Sequence, residues 1–100
     1  MRMIRHIFMC TIKDGVTDEV VERKMAEMRA MKDAVPEIEA ITVQRNLGWA
    51  GPNNVVTMMI DLKDRAAFDA LMASKAHTEV ATKADEAFRT DNFVLAQIEI

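Results

Sequence analysis

From Ile4 to Ile12 the chain alternates. Ile4, His6, Phe8, Cys10 and Ile12 fall on one side of an extended segment, and Arg5, Ile7, Met9 and Thr11 fall on the other. Both sides are largely apolar, so this pattern predicts a strand covered on both faces, with helices on one side and a second protein layer on the other. Lys13-Asp14-Gly15 supplies a turn. Thr17 then predicts a helix cap, with Asp18 and Glu19 in the first turn, where the helix dipole favours acids. Val21, Met25, Met28, Met31 or Lys32, and Val35 recur every three to four residues, while Glu22, Arg23, Glu27 and Arg29 fill the other arc. This is an amphipathic surface helix that Pro36 brings to an end.

A second strand is predicted from Ile38 to Asn46, with Ile41 and Val43 on one face and Ile38, Ala40 and Thr42 on the other. Its polar content places it near a sheet edge. The segment from Leu47 to Asn54, rich in Gly, Pro and Asn, reads as a long hairpin loop. Val55 to Leu62 is almost wholly apolar, as a central strand is. Asp64 caps a short helix with Phe68, Leu71 and Met72 inward. The pattern breaks at Ala73-Ser74 and resumes from Ala76 to Phe88, with His77 at its start. Asn92 to Ile100 alternates again as a fourth strand.

The order strand, helix, strand, strand, split helix, strand is the ferredoxin-like plan: α+β, with helices on one face of a four-stranded antiparallel sheet. The other face would carry Ile7, Met9 and Met58 or Met59, and an apolar patch of that kind predicts an interface. The expectation is a homodimer closing sheet to sheet into an α/β barrel. At 100 residues, half of them hydrophobic and with no internal linker, the chain predicts a single domain over 1–100. A net charge of -3 with no basic stripe argues against a nucleic-acid partner. The lone Cys10 allows no internal disulfide, and the apolar runs are far shorter than the roughly 20 residues of a membrane span. The prediction is a soluble, cytoplasmic protein without membrane contact.

Two histidines carry the candidate chemistry. His6 points to the helix side of its strand and His77 sits at a helix start, so the two can converge as a general base and a hydrogen-bond donor. Equally, each ring can be satisfied by a backbone carbonyl or water, in a structural role. His6 and Cys10 share a face but lie about 13 Å apart along a strand, too far to bind one metal ion, and neither a metal nor a cofactor is predicted. Trp49, in the hairpin loop, can lid a pocket, although such a side chain more often folds back as a plug. Met25, Met28, Met31, Met58, Met59 and Met72 would fill a core or shape an apolar pocket. Cys10 reads as a buried thiol.

The stretches IRHIFMCTIKDGVTDE, VPEIEAITVQRNL and FDALMASKAHTEV, in this order and separation, resemble the stress-responsive α/β barrel (Dabb) proteins across nearly the whole chain. The resemblance implies a dimeric ferredoxin-like barrel with a pocket between sheet and helices that receives side chains of the His6 and His77 type. The expected site is His6 and His77 as catalytic candidates, with Phe8, Asn46, Trp49, Leu71 and Met72 as ligand contacts. In a catalytic member of that family a tyrosine stands six residues before the second histidine. That position is Leu71 here, and the chain has no tyrosine. Lys75 replaces a typical proline before Ala-His, and Asn54 and Val56 replace an aromatic and a histidine that often lead into the third strand. Two readings follow: a small dimeric protein binding an apolar oxygenated molecule, or a stress-related dimeric module with a filled core and no chemistry.

Overall fold

The computed structural model describes residues 2–100. Four strands, β1 (Ile4–Thr11), β2 (Ile38–Arg45), β3 (Val55–Leu62) and β4 (Val94–Glu99), form one antiparallel sheet in the order β2-β3-β1-β4. The most apolar strand, β3, is thus central beside β1, and the more polar β2 lies at an edge, as its composition requires. Helices α1 (Asp18–Arg29), α2 (Met31–Ala34), α3 (Arg65–Ala73) and α4 (Lys75–Thr82) connect them, and a 3-10 turn covers Ala84–Glu86. This is the ferredoxin-like α+β fold.

Register assigns the faces. His6 pairs with Ile60 and Gln97, and Phe8 pairs with Met58 and Leu95, so these positions share the helix side. There Val56, Met58, Ile60 and Leu62 of β3 meet Val21, Met25 and Met28 of α1, all buried. The opposite face presents Arg5, Ile7 and Met9 beside Met59 and Asp61, and continues into Val94, Ala96 and Ile98. No helix covers it.

Three sequence readings change. Ile38, expected opposite Ile41, pairs with Leu62 while Ile41 pairs with Ile60: a bulge between Ile38 and Ala40 inserts one residue and turns Ile38 into the core, 3% exposed. The first helix breaks at Ala30 instead of running on to Val35. The last helix stops at Thr82, and Phe88, expected to be helical, instead forms a bridge with Ile12. The turn Lys13-Asp14-Gly15 forms as read, with Gly15 at φ +81°, a region that an L side chain adopts only with strain.

Candidate functional site

A cavity of about 210 Å³ lies between the helix side of the sheet and α1, α3 and α4. Its floor is β1 and β3, through His6, Phe8 and Met58; its walls are Met28, Met72, His77, Val80, Ala81 and Phe88; Phe93, just before β4, and Leu95 of β4 form an apolar rim. Among the residues expected at the site, His6, Phe8, Met72 and His77 come together here. The remaining three do not line the cavity. Leu71 is fully buried in the core, because the inward stripe of α3 points it at the sheet while its neighbour Met72 turns toward α4. Asn46 holds the hairpin loop, its Nδ2 donating to the Pro52 carbonyl and its Oδ1 accepting from the Gly48 amide. Trp49 is 90% exposed and is neither plug nor lid. The loop is braced from within by Asn46 and by Arg45, which donates to the Asn53 carbonyl, so it needs no aromatic anchor.

His6, the third residue of β1, is 3% exposed. Gln97 Nε2 lies 3.0 Å from its Nδ1. An amide nitrogen only donates, so Nδ1 accepts and the neutral ring carries its proton on Nε2. The edge of Phe68 packs against the ring at 5.3 Å between centroids. Burial, reinforced by the charge of His77, holds the His6 pKa below that of a free histidine.

His77 is positioned by a local device. Ser74, extended at φ -69° and ψ 150°, separates α3 from α4; its Oγ donates to the Leu71 carbonyl and accepts from the backbone N–H of His77. The same serine therefore ends one helix and caps the next, three residues before the imidazole. Burial lowers the His77 pKa, and hydrogen bonding to the Met72 backbone opposes it.

Three polar residues at the site escaped the sequence reading: Lys24, its partner Glu27, and Gln97. Lys24 lines the cavity with its side chain 5% exposed, its ammonium engaged by Glu27 of the same helix and by Glu86 of the 3-10 turn. The signal was present, since Lys24 lies three residues after Val21 and four before Met28, inside the apolar stripe of α1. Gln97 was similarly legible as an inward position of β4 directly opposite His6. Cys10, by contrast, behaves as read: it is 2% exposed, with burial pushing its thiol pKa up to about 12, so it is no nucleophile at neutral pH. Among the described residues no group of three or more His, Cys, Asp or Glu is placed to hold a metal ion. No described helix is long and apolar enough to cross a membrane.

Solved structures share this architecture. A dimeric ferredoxin-like protein of unknown function from Thermobifida fusca superposes with a TM-score of 0.84 at 23% identity, covering 99% of this chain and 92% of its own. The hydroxynitrile lyase of Passiflora edulis gives a TM-score of 0.84 at 17% identity, covering 98% and 93%. A dimeric ferredoxin-like protein of unknown function from Jannaschia sp. gives 0.81 at 16% identity, covering 98% and 99%. At these identities the likeness establishes the fold. No curated protein matches in sequence. The family model of the Stress responsive A/B Barrel Domain, Dabb, matches residues 4–95, which include both strands that frame the cavity and both histidines, and the chain belongs to that family.

Proposed function

We propose that this protein is a homodimer whose subunits each bind a small, apolar, oxygenated molecule in the cavity between sheet and helices, with His6 and His77 at the polar end. The observation that carries this reading is the convergence of two neutral imidazoles on one apolar cavity of about 210 Å³. An engineered apolar cavity of about 150 Å³ takes up benzene, so this one has room for a monocyclic aromatic with a short polar substituent. A filled interior would favour a module without chemistry; a cavity of this size favours ligand binding.

The rings divide the work. His6, with its proton on Nε2, donates to a carbonyl or phenolate oxygen; His77, neutral, offers a ring nitrogen as a proton acceptor. A ligand held between them has its oxygen polarised and an adjacent proton within reach of a base, an arrangement competent for proton transfer. Dimerisation is supported by the uncovered apolar sheet face and by the dimeric state of the Thermobifida and Jannaschia neighbours.

Thermal-shift screening of small aromatic ketones, aldehydes and phenols tests the binding. A ligand present at about 100 times its Kd stabilises by about 2.7 kcal/mol. His6→Ala and His77→Ala should abolish the shift while leaving the dimer intact. If no compound stabilises the wild type and His77→Ala mainly lowers its stability, the histidines are structural.

A further inference from the structure

Among the described residues Lys24 is the one ammonium in the cavity wall, and its place there is not explained by packing. A lysine in the middle of an apolar stripe is costly unless its donors are satisfied. Two of them are: Glu27, 3.4 Å away, itself lines the cavity, and Glu86 sits in the turn whose first residue, Ala84, also lines it, as does Phe88 just beyond. The nitrogen is therefore held between a cavity-lining carboxylate, Glu27, and one from the adjoining turn, Glu86. An ammonium has three N–H donors, and the third has no protein partner among the described residues. Both carboxylates are about half exposed, whereas the Lys24 side chain that lines the cavity is 5% exposed.

Resting on the ligand-binding reading above, we infer that Lys24 is a second oxygen-recognition group of this cavity, and that the ligand is a neutral molecule with two oxygens, an α-hydroxyketone or a related hydroxycarbonyl compound. One oxygen takes the Nε2–H of His6; the other takes the third N–H of Lys24. Neutrality follows from the charges. Lys24 already faces two carboxylates, both histidines are neutral at pH 7, and the other cations near Glu86, Arg23 and Lys83, are exposed and solvated. A carboxylate entering the cavity would lose its water and find no free cation.

Three probes test this in binding titrations on the full chain: acetophenone, its α-hydroxy derivative 2-hydroxy-1-phenylethanone, and benzoate. The wild type should bind the hydroxyketone about tenfold more tightly than acetophenone, the increment of one hydrogen bond to a charged donor, and benzoate more weakly than either. Lys24→Met keeps the length and apolar stem of the side chain and should reduce the hydroxyketone preference to within about twofold while acetophenone binding persists. Glu27→Gln with Glu86→Gln leaves Lys24 folded in place but unneutralised, and should raise benzoate affinity about tenfold or more. The double variant carries the test if Lys24→Met does not fold. Equal wild-type affinity for the two ketones, or a preference that survives in Lys24→Met, overturns this inference and leaves the pocket reading standing. Binding of none of the three overturns both.

Discussion

At the residue scale the two histidines are the informative groups, because burial lowers both pKa values from the ordinary 6.5. Between those lowered values and 6.5 the unfolded chain binds more protons than the folded one, so stability rises with pH across that window. The contribution is complete above 6.5 and is lost as pH falls from there toward the folded values. Urea unfolding at about pH 7.5 and at about pH 5 should therefore show a loss on acidification that His6→Asn with His77→Asn largely removes. An unchanged pH slope in the double variant would contradict the burial of both rings. Gln97 has its own readout. Gln97→Leu takes away the donor to Nδ1, so imidazole 15N shifts should move from a single Nε2–H tautomer to a mixture, at a stability cost of about 1 kcal/mol. Shifts identical to wild type would show that another group fixes the ring.

At the element scale the site depends on two breaks in regular structure. Ser74 ends α3 and caps α4, so Ser74→Ala should cost about 1 kcal/mol in urea unfolding and weaken ligand binding by releasing His77. Weakened stability with unchanged ligand affinity would detach the cap from the site. The bulge near the start of β2 buries Ile38, and Ile38→Ala should cost about 2–4 kcal/mol, a loss that a solvent-facing position would not show. These features mark how far the sequence could be read. Element order and edge placement were legible because long periodic stretches such as Ile4 to Ile12 and Val55 to Leu62 repeat one signal many times. The helix break at Ser74 was legible too, as a polar interruption in an apolar stripe. The bulge was not, because one inserted residue leaves the composition of β2 unchanged while reversing the direction of everything before it. Trp49 misled because exposure of a loop aromatic depends on whether other groups already brace the loop, and Asn46 and Arg45 do so here.

At the scale of the whole molecule, the uncovered sheet face is the surface on which the proposed dimer rests. It carries one ion pair, Arg5 with Asp61, bidentate at 2.7 and 3.0 Å, on a surface otherwise dominated by Ile7, Met9, Met59, Val94 and Ile98. Covered by a second copy, this pair is satisfied only by itself, so a single change leaves a charge buried without a partner. Sedimentation should show Asp61→Ala and Ile7→Asp weakening the dimer by about a hundredfold or more, and Arg5→Met with Asp61→Met dimerising better than Asp61→Ala. A wild-type monomer at micromolar concentration would remove the dimer from the account, and its cavity would then be tested in the isolated chain. The central claim is that His6 and His77 face one ligand in one cavity, and the direct measurement is an imidazole 15N NMR titration with acetophenone. The account predicts that the resonances of both histidines shift together along one binding curve, and that neither shifts in Met28→Trp, which fills the cavity from α1. Histidine resonances that stay fixed at saturating ketone, or that move along separate curves, would contradict it.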